Sequence, residues 1–224
     1  MLSIASEGLE YFEPTSLADF EALANGKIFK DKSSLALDSL SEMVRTFVKD
    51  AALAIPRSKG ESDKRRRGIP ELDDYGVMGE LTRRLLRALL TQHPDKHIIV
   101  TATERYDKPD PESGQGEMLI GPDLPGQMFL GSTAMFDLVL RIRTRPALRD
   151  PKDAKSRYTQ RYILTQPDGA GSIVKGRPNV KMKAILDKEE LFDPESGRGT
   201  FPYLLDKILK GYADALAEKE VVTQ

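Results

Sequence analysis

The stretch that decides the fold is Lys32-Ser-Ser-Leu-Ala-Leu-Asp38-Ser39-Leu40, in which a short apolar run ends in an acid and a hydroxyl. Four apolar or small residues between turn-like sequences predict a strand buried on both faces of a parallel sheet. Open α/β sheets bind ligands outside the carboxyl ends of their strands. Asp38 and Ser39 are therefore predicted at a ligand-binding edge, although Asp38 capping the next helix explains the same pattern.

Helices and strands are predicted to alternate on both sides of this strand. The spacing of apolar residues predicts helices at 16–25, 39–54 and 74–92, and a second buried strand at 97–103. This alternation favours an α/β fold with a mainly parallel sheet flanked by helices. Residues 136–144 and 157–165 instead alternate apolar and charged side chains, which predicts an antiparallel pair towards the carboxyl terminus.

The composition limits the possible functions. The 224 residues contain 34 Lys and Arg against 35 Asp and Glu, so any anion-binding surface must be local. The chain has no cysteine, which excludes disulfides and thiolate chemistry, and both histidines, His93 and His97, are expected to face solvent. It also has no signal peptide and no apolar run of about 20 residues, so we expect a cytoplasmic protein that does not contact membranes.

Two loops are candidates for ligand contact. Residues 57–70 have no apolar periodicity, and six cations occur between Arg57 and Arg67, which is typical either of a solvated loop or of a nucleic-acid contact. Residues 106–117 are rich in Pro, Asp and Gly and are predicted to form a second loop after the strand that ends in Glu104-Arg105. Gly171-x4-Gly176 is followed by Arg-Pro and therefore lacks the Lys-Ser/Thr of a phosphate-binding loop.

The order of these motifs resembles the core of RecA-like recombination ATPases. The motifs are Ala-Ser-Glu7-Gly, Leu-Ala-Leu-Asp38-Ser39, Ile-Val-Thr-Ala-Thr103-Glu104, the antiparallel pair and Ile-Val-Lys175-Gly-Arg177. The chain looks most similar to phage-encoded AAA/RecA-type ATPases of single-strand-annealing systems. The resemblance implies a single RecA-like P-loop NTPase domain over 1–224, with an antiparallel C-terminal part and a helical extension at 181–224. It further implies ATP and Mg²⁺ as cofactors, single-stranded DNA as a ligand, a homo-oligomer, and a recombination or annealing partner.

The same resemblance implies roles for individual residues. Glu7 would activate the attacking water, Asp38 would hold Mg²⁺ through water beside Ser39, and Thr103, or else Glu104, would be the polar sensor of the γ-phosphate. Lys175 and Arg177 would reach the ATP of a neighbouring subunit, although a surface turn before Pro178 explains that pair equally well. The implied DNA contacts are Lys64, Arg65, Arg66, Arg67 and Tyr106.

One motif of the family is missing. No Gly-x4-Gly-Lys-Ser/Thr occurs in these 224 residues. Three explanations stay open: a truncated or internally initiated form, a loop supplied by another polypeptide, or a degenerate relative without catalysis. The alternative function is accordingly a catalytically inactive module that binds DNA or a partner.

Overall fold

The computed structural model describes residues 12–26, 32–57, 62–107, 119–125, 128–165, 189–193, 202–204 and 206–211. The chain divides into two compact units, Met1–Thr103 with Pro122–Phe129 and Glu104–Gly121 with Leu130–Gln224. The predicted single domain over 1–224 stays a prediction, as does the extension at 181–224.

Helices make up most of the described residues of the first unit. They are α1 (Leu17–Asn25), α2 (Leu40–Met43), α3 (Lys49–Ala54), α4 (Asp63–Arg66) and α5 (Leu72–Gln92). A π-helical turn, Val44–Val48, joins α2 directly to α3. Further along the chain lie a single helical turn, α6 (Met128–Gly131), and a 3₁₀ turn, Thr133–Met135.

The ends of these helices follow local sequence signals. The Ser16 hydroxyl accepts a hydrogen bond from the Asp19 N–H at the start of α1, and the helix ends at the Asn25-Gly26 pair. Helix α5 begins with a reciprocal capping box between Glu71 and Asp74. The predicted helices at 16–25, 39–54 and 74–92 are confirmed, with shifts of one or two residues at their ends.

The core of the first unit lies between α5 and the α2–α3 segment. Both elements contribute fully buried apolar side chains at helical spacing: Leu40, Met43, Val44 and Val48 from one, and Met78, Leu85 and Leu86 from the other. The rings of Phe20 and Phe47 add a contact at 5.6 Å between centroids. Burial of these apolar faces is the main stabilising contribution to the unit.

Two parallel strands accompany these helices. Strand β1 (Ser34–Leu37) pairs in parallel with β2 (His97–Val100), with Leu37 opposite Val100. The prediction that β1 is buried on both faces is wrong, because Ser34 and Ala36 are exposed and only Leu35 and Leu37 are partly covered.

The described strands of the second unit are antiparallel. Strand β3 (Glu104–Asp107) pairs with β4 (Leu119–Pro122). A three-stranded sheet has the order β5 (Arg141–Leu148), β6 (Arg157–Leu164), β7 (Glu189–Leu191). Ile163 of β6 forms a buried apolar cluster with Leu204 and Ile208, which lie in the helical residues 202–204 and 206–211. The predicted antiparallel pair is confirmed.

The predicted fold class is wrong. A RecA-like core requires a large, mainly parallel sheet, whereas the described strands form sheets of only two or three strands, and only β1–β2 is parallel. The helix–strand alternation that favoured the parallel sheet ends at β2. Beyond Thr103 the described strands run antiparallel, and such pairs do not need a helical crossover.

Three local predictions also need correction. Tyr106 and Asp107 belong to a separate strand, β3, rather than to a loop, and residues 63–66 of the basic loop form a helical turn. His93 is only 5% exposed, although a solvent-facing position was expected.

In the described ranges, no helix combines the length and apolar character needed to cross a membrane.

Candidate functional site

The carboxyl ends of β1 and β2 bring Asp38 next to Thr101. Each residue directly follows its strand, and the Thr101 hydroxyl donates a hydrogen bond to Oδ1 of Asp38. The Thr101 N–H also donates to the Leu37 carbonyl over 3.0 Å, and the Leu40 N–H donates to the Thr101 carbonyl over 2.9 Å. These bonds hold an exposed carboxylate at the carboxyl ends of the two parallel strands.

Two serines connect this edge to helix α2. The Ser39 hydroxyl accepts a hydrogen bond from the Glu42 N–H over 3.3 Å and so caps the helix. The Ser41 hydroxyl is fully buried and accepts from the Thr103 N–H over 3.1 Å. The peptide bond between Asp38 and Ser39 is cis. Ser39 therefore already has a structural partner, in addition to the nucleotide contact that the resemblance implies.

Thr103 lies near Asp38 in the same unit. Its side chain is exposed, its N–H donates to Ser41, and its carbonyl accepts from the Asp123 N–H over 2.7 Å. The Asp123 carboxylate accepts a hydrogen bond from Arg45, which lies in the π-helical turn. The implied sensor position is thus linked through hydrogen bonds to the helix that follows Asp38.

The cations at 64–67 divide into an exposed group and a buried one. Lys64, Arg66 and Arg67 are exposed, whereas Arg65 is only 4% exposed. Helix α4 ends in a Schellman motif, because the Gly68 N–H bonds to the Arg65 carbonyl and the Ile69 N–H bonds to the Lys64 carbonyl. Gly68 has a φ of +75°, which only glycine adopts without strain.

Arg65 points into the protein. Its Nε donates to Asp74 over 3.1 Å, and its Nη2 donates to the carbonyls of Ala52 and Ile55 over 2.9 and 2.7 Å. A guanidinium that caps the end of α3 and pairs with a buried acid is not available to a phosphate. The accessible positive charge of this turn therefore comes from its three exposed cations.

Tyr106 and Glu104 lie on strand β3 of the second unit. Tyr106 is 52% exposed, which suits the stacking role that the resemblance implies. Glu104 forms a two-pronged ion pair with Arg141, from Nε to Oε2 over 2.7 Å and from Nη2 to Oε1 over 2.5 Å. Burial acts to raise the pKa of Glu104, but the hydrogen bonds from Arg141 and Tyr106 outweigh it and lower this pKa.

Three predicted site residues fall outside the described ranges: Glu7, Lys175 and Arg177. Their implied roles stay predictions. Sequence reasoning also missed Thr101, because the strand was expected to continue to 103 and Thr101 was taken as one of its interior residues. The signal was available, since Thr101 and Thr103 both carry hydroxyls after the last apolar residue, Val100.

The strand edge offers ligands of the kind that Mg²⁺ uses. Mg²⁺ is usually held by one or two carboxylates together with waters and substrate phosphates. Asp38 is an exposed carboxylate fixed by Thr101, so the residues present fit such an ion. Among the described residues, no group of three or more His, Cys, Asp or Glu could hold a metal ion by itself.

No protein-family model, curated protein or solved structure matches this chain. Function therefore has to be inferred from the residues themselves.

Proposed function

We propose that the chain binds ATP and Mg²⁺ at the Asp38 end of β1 and acts as a DNA-dependent ATPase-type protein of phage recombination. In this role it binds single-stranded DNA as a homo-oligomer in the cytoplasm, that of the host cell where a phage encodes it, together with a recombination or annealing partner. The observation that carries the proposal is the Thr101–Asp38 hydrogen bond at the joint ends of two adjacent parallel strands.

The chemistry of this edge supports a nucleotide more than an uncharged ligand. Asp38 would hold hydrated Mg²⁺, and bound Mg²⁺ would neutralise charge on the β- and γ-phosphates. Thr103 is connected to α2 through Ser41, so a change at the phosphate can be passed to that helix. The chain contains no Gly-x4-Gly-Lys-Ser/Thr, so the backbone cradle for the phosphates would come from another segment or another chain.

The missing phosphate loop favours a second candidate, a catalytically inactive module that binds DNA or a partner. The exposed cations Lys64, Arg66 and Arg67 serve both candidates, because phosphate contacts provide affinity without sequence preference. The two candidates differ in whether nucleotide binding depends on Asp38.

Nucleotide binding tests the first candidate. A fluorescent ATP analogue is titrated into the protein with Mg²⁺ and with EDTA, using wild type, Asp38→Asn, and Asp50→Asn as a matched control at an exposed helical acid. We expect binding that requires Mg²⁺, is weakened by Asp38→Asn and is unaffected by Asp50→Asn. An absence of Mg²⁺-dependent binding, with DNA binding intact, assigns the chain to the second candidate.

DNA binding tests what both candidates share. A labelled oligodeoxythymidylate is titrated at several salt concentrations against wild type, Lys64→Gln/Arg67→Gln, and the control Arg87→Gln/Lys210→Gln. Both double variants remove two exposed cations, so only the position differs. The first should weaken binding and flatten its salt dependence. A wild type without affinity for the oligonucleotide overturns the first candidate and leaves the second only as a module that binds a partner.

A further inference from the structure

The hairpin formed by β5 and β6 concentrates the positive charge of the chain. Residues 141–165 contain eight Lys or Arg and two Asp, a net charge of +6, while the whole chain carries −1. The rest of the protein is therefore at −7. The hairpin is strongly positive whereas the remaining chain is negative. This charge distribution favours the binding of a polyanionic ligand to the hairpin.

The tip of the hairpin is ordered by its own acids. The Asp150 carboxylate accepts from the Lys152 N–H over 2.9 Å, and the Asp153 carboxylate accepts from the Lys155 N–H over 2.8 Å. Ser156 closes the turn by accepting from the Asp150 N–H over 3.0 Å. The two acids thus stabilise the turn, and both lysines of the tip are exposed.

One face of the hairpin combines arginines with tyrosines. The register places Arg143 opposite Tyr162 and Arg145 opposite Gln160. The Arg145 guanidinium lies over the Tyr162 ring at 4.8 Å from its centroid and donates to Gln160 over 3.1 Å. Arg149 lies over Tyr158 at 5.8 Å. Guanidiniums supported by rings in this way present flat, charged surfaces on which nucleobases stack.

The other face supplies exposed cations in a row. Arg157, Thr159 and Arg161 follow one another at alternate positions of β6, and all three are exposed. Opposite them lie Thr144, Pro146 and Leu148. The two arginines are four positions apart along the strand, a distance of about 13 Å. This spacing lets the two side chains contact different phosphates of one strand.

We infer that the β5–β6 hairpin binds single-stranded nucleic acid, whose phosphates contact Arg157 and Arg161 on one face and whose bases stack on Arg145 and Arg149 where the strand passes around the hairpin to the opposite face. Single strands are favoured over duplex because their bases are open to stacking. The tip carries no large apolar residue of the kind that inserts into lipid, which disfavours a membrane surface. This inference deepens the proposed function and rests on it for the class of ligand.

The test compares matched variants by fluorescence anisotropy with labelled oligodeoxythymidylate of about 30 nucleotides, long enough for several contacts. Each phosphate contact on a single strand contributes about 0.7 to the salt slope. Arg157→Gln/Arg161→Gln should therefore reduce the slope by about 1.4 and the affinity about 25-fold at about 0.1 M salt. The control Arg87→Gln/Lys210→Gln removes equal charge elsewhere and should leave affinity nearly unchanged.

Three further variants separate the effect of charge on binding from the effects of stacking and of folding. Arg145→Lys keeps the charge but loses the planar group, and should weaken oligonucleotide binding with the salt slope preserved. Arg157→Lys/Arg161→Lys should restore most of the affinity lost by the glutamine variant. Lys152→Gln/Lys155→Gln at the tip repeats the charge test at residues outside both strands, and weaker binding there also supports the inference.

Several outcomes would overturn the inference. The hairpin is rejected as the binding surface if Arg157→Gln/Arg161→Gln binds the oligonucleotide as tightly as wild type. It is also rejected if this variant and the control Arg87→Gln/Lys210→Gln lose equal affinity. If Lys64→Gln/Arg67→Gln weakens binding while the hairpin variants do not, the hairpin is rejected and the proposed function stands. Equal or tighter binding of a duplex rejects the single-strand preference. Loss of anionic-vesicle binding with oligonucleotide binding retained assigns the surface to membranes instead.

Discussion

Nε of Arg65 lies 3.1 Å from Oδ1 of Asp74, and the two side chains are only 2% and 3% exposed. The same guanidinium donates to the carbonyls of Ala52 and Ile55, which lie at the end of α3. Asp74 belongs to the capping box that begins α5. One arginine on α4 therefore connects three helices through a buried charge.

Replacing Arg65 with alanine should destabilise the protein strongly. The change removes one of the two guanidiniums that pair with the buried Asp74 carboxylate, and it removes the donor from two carbonyls. Loss of one member of a buried ion pair costs about 3–5 kcal/mol. Because Arg57 still pairs with Asp74 at 2.9 Å, we expect the lower end of this range, about 3 kcal/mol, in urea unfolding.

Arg67→Ala is the matched control for this prediction. Arg67 lies two residues away, carries the same charge and is exposed. Its removal should change the free energy of unfolding by no more than about 0.5 kcal/mol. An equal decrease in the free energy of unfolding in Arg65→Ala and Arg67→Ala would contradict the structural role of Arg65.

The stability of the first unit should depend on the charge of Asp74. Burial acts to raise the pKa of Asp74, but hydrogen bonds from the Glu71 N–H, Arg57 and Arg65 outweigh it and hold this pKa below its usual range. A lowered folded pKa stabilises the protein above the unfolded value of about 3.9, and this contribution is lost as pH falls through the folded pKa. We expect the free energy of unfolding to decrease below about pH 4.

Asp74→Asn isolates this contribution from that of other acids. The variant should be less stable than wild type at pH 7. The difference should begin to shrink near pH 4, where the carboxyl of the unfolded chain becomes protonated, and should vanish as the pH falls through the lower pKa of the folded state. Urea unfolding of both proteins at a series of pH values measures this difference in the free energy of unfolding. A difference that stays constant with pH would show that the charge of Asp74 does not stabilise the fold.

Local signals in the sequence predicted the helices well, because their causes are local. Ser16 and the Asn25-Gly26 pair mark the two ends of α1, and the apolar spacing of α5 identifies its buried face. Arg65 could not be identified in this way. Nothing in the run Lys64–Arg67 separates it from its neighbours, and only pairing with Asp74, nine positions away, buries it.

The fold class could not be predicted for a related reason. Alternating helices and strands up to Val100 are consistent with a large parallel sheet, but strand order depends on contacts between distant segments. The candidate site was predicted in part. Asp38 and Ser39 do follow a parallel strand, whereas the Thr101 hydroxyl depends on which strand lies beside β1.

The pair Glu104–Arg141 should contribute to the stability of the second unit. Arg141 is 8% exposed and Glu104 is 31% exposed, and two parallel hydrogen bonds join them. Hydrogen bonds between charged groups contribute about 1.5–3 kcal/mol. A double-mutant cycle with Glu104→Gln and Arg141→Gln should give a coupling energy of that order in chemical unfolding.

The exposed Arg157 provides the control for this cycle. Pairing Glu104→Gln with Arg157→Gln should give a coupling close to zero, because the structure records no contact between these side chains. The coupling of Glu104 with Arg141 should also be lost as the pH falls through the lowered pKa of the folded glutamate. Strictly additive effects of Glu104 and Arg141 would contradict the prediction.

Ser39 allows the helix cap to be separated from a nucleotide contact. Its hydroxyl accepts from the Glu42 N–H over 3.3 Å, so Ser39→Ala should cost about 1 kcal/mol, whereas Ser39→Asn should keep the cap because asparagine is equally favoured there. Unfolding in urea and titration with the fluorescent ATP analogue are measured on both variants. If the hydroxyl also contacts the nucleotide, Ser39→Asn will match the wild type in stability but bind the analogue more weakly. If Ser39 serves only as a helix cap, Ser39→Asn will match the wild type in both stability and analogue binding. If Ser39→Ala is as stable as the wild type, the capping role itself is excluded.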